Sequence, residues 1–126
     1  MTTQLQNDMD PEFDLDAMQA IIELDPSGEA GLVRELVETF TQDSNQKLTQ
    51  LRRHLSSGDA AAIHAVTHQL KSSSATLGLA RFSRLSRAID EDARRGGLET
   101  ARKLVDELDA ALVDGQAWLM RQIPSA

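Results

Sequence analysis

The chain has 126 residues, of which 40% are hydrophobic and 3% aromatic, and its formal net charge is −7 at pH 7. This length fits one compact domain, and the absence of cysteine excludes a disulfide framework, a thiolate nucleophile and a sulfur-ligated zinc site. The negative charge argues against nucleic acid or anionic membrane partners, and the sequence has neither a run of about 18 apolar residues nor a secretory signal. We therefore expect a soluble, cytoplasmic protein.

The N-terminal part of the sequence predicts a flexible tail over residues 1–12 and then a short helix. Asp14 is the expected N-cap of this helix, and an Asp-Pro-Ser-Gly break at residues 25–28 ends it. The apolar side chains that share one side of the helix are Leu15, Met18, Ile21 and Ile22.

Four longer helices follow, because apolar residues recur at spacings of three and four as far as Leu119. The second follows Ser27 and ends at residues 56–58, the third runs from near Asp59 to about Leu77, the fourth from about Leu79 to Arg95, and the fifth from about Leu98 to Ile123 at the latest. Short connections between amphipathic helices favour antiparallel neighbours. The prediction is all-α: an antiparallel up-down four-helix bundle over residues 13–123 with a short additional N-terminal helix.

The third helix carries a histidine on the side that faces away from its apolar stripe. When Ile63 is set to 0°, His68 falls at roughly 140°, since each helical residue advances about 100°. This geometry predicts that the His68 side chain is exposed. The residues expected to form the opposite, core-facing stripe are Val66, Leu70, Ser73, Ser74 and Leu77.

Four side chains near His68 on the same face are short, which would let another protein approach the helix closely: Ala61, Ala65, Ser72 and Ala75. We predict a docking surface on this face; the alternative explanation is that the alanines serve helix propensity alone. The predicted docking residues are Ala61, His64, Ala65, Gln69 and Ala75.

Lys71 and Ser72 follow His68 by three and four residues, so both can reach the space around the imidazole. A neutral imidazole is abundant near pH 7 and can attack phosphorus without a strong base. An ammonium and a hydroxyl could then bind the phosphoryl oxygens. These three residues indicate a phosphoryl site, although lysine is common on exposed faces and the pair alone is weak evidence.

Residues 68–78 read His-Gln-Leu-Lys-Ser-Ser-Ser-Ala-Thr-Leu-Gly. This segment resembles the active helix of histidine-containing phosphotransfer (HPt) domains, which reads His-x-Leu-Lys-Gly, then two small residues, with a glycine ten positions after the histidine. The sequence departs from that pattern at Ser72, which replaces a glycine. The resemblance extends from about Leu15 to Leu119 and covers nearly the whole predicted domain.

The resemblance implies a histidine phosphotransfer protein of a two-component phosphorelay, in which His68 takes a phosphoryl group from one receiver aspartate and passes it to another. The protein would be a transiently phosphorylated intermediate and not an enzyme. Lys71 matches the family lysine that contacts the phosphoryl group, and we hypothesise that Ser72 donates a hydrogen bond to the phosphoryl oxygens. The implied partners are receiver domains of a hybrid histidine kinase and of a response regulator. We expect a monomer without a cofactor of its own, with Mg²⁺ on the receiver.

Other interpretations stay open at this point. The chain could be a helical adaptor or inhibitor that binds a receiver or histidine kinase without carrying phosphate. His64 and His68 have the four-residue spacing of a shared metal site, but the helix pattern places no acid beside them, so we predict no metal. We expect the fourth helix to point Phe82, Leu85, Ile89 and Ala93 inward, and Asp90, Glu91 and Asp92 to form a solvated surface loosely paired with Arg94 and Arg95.

Overall fold

The structure is a computed structural model that describes residues 11–124, and over this range it contains five α-helices and no strand. The helices are α1 (Leu15–Ile22), α2 (Leu32–Ser57), α3 (Ala60–Thr76), α4 (Ala80–Arg94) and α5 (Glu99–Gln122). Each of the four long helices packs against the next, and α5 returns to α2, so they close a four-membered ring; α1 packs against α3. The predicted all-α bundle with a short leading helix is confirmed.

Side-chain caps fix the starts of two helices where the sequence predicted them. The Asp14 carboxylate accepts a hydrogen bond from the Ala17 N–H at 3.1 Å, and Asp59 accepts one from the Ala62 N–H at 3.0 Å. The start of α2 differs, because the helix begins at Leu32, several residues after Ser27. Its first N–H is bound by the buried carboxylate of Asp25 at 3.1 Å, so the cap comes from seven residues upstream.

The core lies along the axis of the ring and consists of aliphatic side chains with Phe40 and Phe82 in edge-to-face contact, 6.4 Å between ring centroids. The prediction that Ser73 faces this core is wrong, since Ser73 is half-buried at the edge of the stripe, whereas Thr67 is fully buried. The Thr67 hydroxyl donates to the Ile63 carbonyl at 2.8 Å, which satisfies its polar atom inside the core.

The turn between α3 and α4 is held by the segment that precedes α1. The Asp14 N–H donates to the carbonyl of Gly78 at 2.7 Å, and Gly78 has φ of +83°. A Cβ at this position would collide with the Asp14 carbonyl oxygen, so glycine is required both for conformation and for space. Because this turn fixes how α3 and α4 lie against each other, it also determines which residues of the two helices meet.

The Glu12 carbonyl accepts a hydrogen bond from the Arg81 N–H at 3.0 Å. Most of the predicted N-terminal tail, residues 1–10, lies outside the described residues, so the tail and the domain boundary at residue 13 stay predictions. Over residues 11–124, no helix combines the length and the apolar character that crossing a lipid bilayer requires.

Candidate functional site

His68 lies on the outer face of α3, and 59% of its side chain is exposed. The predicted docking residues Ala61, Ala65, Gln69 and Ala75 are exposed on the same helix, and His64 is partly buried one turn before His68. The two imidazole centroids are 5.8 Å apart. The structure therefore brings the predicted acceptor and its small neighbours together on one accessible strip.

A carboxylate from the neighbouring helix lies beneath this strip. The Asp90 side chain, on α4, is only 5% exposed and contacts three basic side chains of α3. Its Oδ1 atom is hydrogen-bonded to Nδ1 of His64. Its Oδ2 atom lies 3.5 Å from Nδ1 of His68 and 3.6 Å from Nζ of Lys71. The prediction of a solvated Asp90 is wrong, because this acid is buried under the histidines.

The buried positions of α4 explain why the carboxylate reaches α3. Phe82, Ser86, Ile89 and Ala93 face the core, and Asp90 lies one residue, about 100° around the axis, from Ile89. Leu85, which was predicted to point inward, is only half-buried, so the core-facing side of α4 is rotated towards Ser86 and Asp90.

A hydrogen bond from a side chain to the backbone also joins α4 to α3. The Ser83 hydroxyl donates to the Lys71 carbonyl at 2.9 Å. One sequence feature could have indicated that Asp90 is buried: it is an acid at the edge of the apolar stripe of its helix. Its partners could be found only once the packing of α3 and α4 was known.

The other two acids of the cluster have separate roles. Glu91 pairs with Arg87 at 3.1 Å on the surface, one turn away on the same helix. Asp92 accepts a hydrogen bond from the Thr100 N–H at 3.1 Å and so holds the beginning of α5. The predicted solvated surface is therefore correct for Glu91 alone, and the arginine it pairs with is Arg87.

The burial of Asp90 has a chemical consequence for His68. A carboxylate with almost no access to water needs partners that donate hydrogen bonds or carry positive charge. The position of Oδ2 beside Nδ1 favours the His68 tautomer that carries its proton on Nδ1. Nε2, on the opposite side of the ring, is then the nitrogen that carries no proton and keeps its lone pair.

The two residues that follow His68 on this face are less buried than Asp90. The Lys71 side chain is 30% exposed, so its ammonium lies between Asp90 and solvent. The Ser72 hydroxyl donates to the His68 carbonyl at 3.3 Å. To donate to a bound phosphoryl group, Ser72 would have to leave that backbone bond.

An apolar groove of about 530 Å³ lies beside the strip, between α1, α2 and α3. Ser73 and Thr76 of α3 form one of its walls, and Ile21 of α1 and Leu36 and Phe40 of α2 lie opposite. No sequence pattern predicts this groove, because it arises from the separation of three helices and not from the pattern of any one. The accessible face around His68 is therefore wider than the predicted strip.

Asp90 supplies the acid that the helix pattern did not place beside His64 and His68. Within residues 11–124, however, no group of histidine and acidic side chains has the arrangement needed to hold a metal ion. In this structure the Asp90 carboxylate binds the side chains of α3 directly.

Residues 35–118 match the sequence profile of the Hpt domain family. No functionally curated protein matches the chain in sequence.

Two solved structures resemble the chain over most of its length. Histidine-containing phosphotransfer protein B from Pseudomonas aeruginosa PAO1 has a TM-score of 0.80 and 24% identity, covering 89% of this chain and 94% of its own. A histidine-containing phosphotransfer protein from Medicago truncatula has a TM-score of 0.73 and 22% identity, covering 94% of this chain and 84% of its own. At these identities the likeness establishes a shared helical fold.

Proposed function

The chain belongs to the Hpt domain family, and on this premise we propose that His68 is the residue that carries the phosphoryl group between receiver aspartates. The role of the chain is histidine phosphotransfer in a phosphorelay, as an intermediate and not as a classical enzyme. The observation that carries the assignment to His68 is its exposed imidazole, whose Nδ1 faces the buried carboxylate of Asp90.

In the proposed reaction, the Nε2 lone pair of His68 attacks the phosphorus of a receiver acyl phosphate. An N–P bond forms, the P–O bond to the receiver aspartate breaks, and that aspartate leaves as a carboxylate. Positive charge develops on the imidazole ring, which still carries its proton on Nδ1. Asp90 lies beside that proton and would stabilise the charge, as a carboxylate does for any imidazolium that forms next to it.

The same interaction supports transfer in the reverse direction. While the proton stays on Nδ1, the phosphorylated ring is cationic and is a good leaving group. When a second receiver aspartate attacks the phosphorus, the electrons of the N–P bond return to Nε2, and His68 is again a neutral imidazole. Asp90 would thus lower the barrier in both directions, which suits a carrier more than a permanent store of phosphate.

Lys71 and Ser72 are proposed to hold the phosphoryl group while it is on His68. Nζ of Lys71 is 3.6 Å from Asp90 in the unphosphorylated protein, and a phosphoryl group at Nε2 would offer it a stronger negative partner. Ser72 would contribute only by exchanging its bond to the His68 carbonyl for one to a phosphoryl oxygen. We therefore expect Lys71 to contribute more than Ser72.

Hpt domains interact with receiver domains and histidine kinases, and we propose that the partners here are receivers of a hybrid kinase and of a response regulator. The exposed strip around His68 would admit the rim of the receiver's acidic pocket, and the receiver would contribute Mg²⁺. The apolar groove beside it, with Leu36 on one wall, would bind an apolar side of the same receiver. We propose that the protein does this as a monomer.

The test is transfer from a receiver domain phosphorylated at its aspartate. The wild type and His54→Gln are expected to gain acid-labile, alkali-stable phosphate, and His68→Gln is expected to gain none. His54 is the matched control because it is a partly buried histidine at the end of α2, on a different helix. In the same assay Lys71→Met should accept phosphate but lose it several-fold sooner.

The alternative function, a helical adaptor that binds receivers without carrying phosphate, predicts a different result. The wild type would then bind the receiver and remain unphosphorylated. Phosphate on His68→Gln at the wild-type level would also contradict the assignment to His68.

A further inference from the structure

Two histidines of α3 present the same atom, Nδ1, to one carboxylate. His64 forms the close bond, to Oδ1 of Asp90, whereas Nδ1 of His68 stays 3.5 Å from Oδ2. The residue proposed to react is thus the more weakly held of the two.

The exposure of the two histidines agrees with this difference. The side chain of His64 is 37% exposed and that of His68 is 59% exposed. His64 therefore lies deeper, between its own helix and α4, where Asp90 emerges. His64 is therefore held mainly by the Asp90 carboxylate, whereas His68 lies mainly at the surface.

We infer that His64 is a positioning residue that attenuates His68 by sharing the Asp90 carboxylate; this inference rests on the proposed function of His68. The negative charge of one carboxylate is divided among its donors, so each donor that binds it weakens the pull on the others. While His64 holds Oδ1, and Lys71 lies 3.6 Å from Oδ2, Asp90 can orient His68 only loosely.

The inference predicts that removing the His64 donor activates the site. In His64→Phe the ring volume is kept but no N–H reaches Asp90, so the carboxylate is free to approach Nδ1 of His68. We expect a higher fraction of the Nδ1–H tautomer of His68 and an increase of about two- to tenfold in its phosphorylation rate, the effect of one modest hydrogen bond. A residue with only a structural role would slow the reaction when it is replaced.

His64→Asn provides the matched variant, because its side-chain amide can place an N–H near the position of the histidine Nδ1. It should restore the wild-type tautomer fraction at His68. The tautomer is measured by ¹⁵N NMR of the imidazole nitrogens in the unphosphorylated protein, and the rate is measured with phosphoramidate, a small donor that needs no docking surface. If His64→Phe does not fold, His64→Ala carries the same expectation.

The outcomes separate this inference from the proposed function. An increase in both readouts in His64→Phe, reversed in His64→Asn, supports the sharing of Asp90. An unchanged or smaller tautomer fraction in folded His64→Phe overturns it, even when the wild type is phosphorylated normally. If the wild type takes no phosphate at all, the proposed function fails, and the NMR comparison still decides whether His64 and His68 share the carboxylate.

Discussion

Two opposite faces of the bundle carry ion clusters of inverted composition. On the α3–α4 side one acid, Asp90, is shared by three basic side chains, and on the α2–α5 side one base, Arg52, is shared by two acids. Arg52 bonds to Asp109 and lies 2.9 Å from Asp106. In both clusters one central side chain contacts several side chains of the opposite kind. The central side chain of the first cluster, Asp90, is 5% exposed, and that of the second, Arg52, is 47% exposed.

This difference in burial decides what each cluster can do. Water and salt screen the exposed Arg52 pairs, so they resemble ordinary surface ion pairs, which contribute little to stability. Asp90 is excluded from water, and a change in any of its partners is transmitted to the others. We therefore expect substitutions around Asp90 to affect both the phosphorylation of His68 and the stability of the fold, and substitutions around Arg52 to affect neither strongly.

The largest effect is expected for Asp90→Asn, which keeps the shape of the side chain but removes its charge. We expect unfolding in urea to show a loss of about 1.5–3 kcal/mol, the range for hydrogen bonds to a charged group. Phosphorylation of His68 by phosphoramidate should slow about tenfold, which corresponds to the low end of that energy range. We use the low end because the distance between Oδ2 of Asp90 and Nδ1 of His68 is long.

Asp109→Asn is the matched control, as it removes one acid from the exposed cluster. Its loss of stability should stay below about 1 kcal/mol, with no change in the phosphorylation rate. Equal losses of stability in the two variants would show that burial does not distinguish the clusters.

The fold was largely predictable from the sequence, whereas the Asp90 cluster was not. Helix ends such as Asp14 and Gly58 depend on residues within one turn, so a local pattern is sufficient to find them. His68 could be placed on the outer face because its angle to Ile63 depends on a single helix. Asp90 meets His64 and His68 only through the packing of α4 on α3, and its type suggested a solvated position. The start of α2 was predicted too early for the same reason, since Asp25 acts across a loop.

A smaller effect is expected for Ser72→Gly. This variant tests whether an exposed polar neighbour of His68 stabilises the phosphorylated histidine. Ser72 is exposed, and its hydroxyl binds the His68 carbonyl. Because glycine is a poorer helix former than serine, the stability should fall, by less than about 1 kcal/mol. If the hydroxyl also binds the phosphoryl group, the half-life of phosphorylated His68 should fall about two- to fivefold.

Ser72→Ala separates these two contributions, because it removes the hydroxyl without introducing a poor helix former. It should reproduce the shorter half-life without the loss of stability. The hypothesis for Ser72 is lost if both variants transfer and retain phosphate as the wild type does.

The smallest effect is expected for Arg52→Gln, which removes the base from the exposed cluster. Asp109, and then Asp106, raise the pKa of the Arg52 guanidinium, so the stability from this raised pKa is fully present at neutral pH and would be lost only in strong alkali. Between about pH 5 and pH 9 the variant should therefore differ from the wild type by a constant amount, below about 1 kcal/mol. In about 1 M salt that difference should vanish, because the screening length shrinks to about 3 Å, whereas the loss in Asp90→Asn should persist. Urea titrations of both variants at low and high salt measure these differences in stability. A loss of stability in Arg52→Gln that persists in high salt would mean that the two clusters do not differ in the way their burial implies.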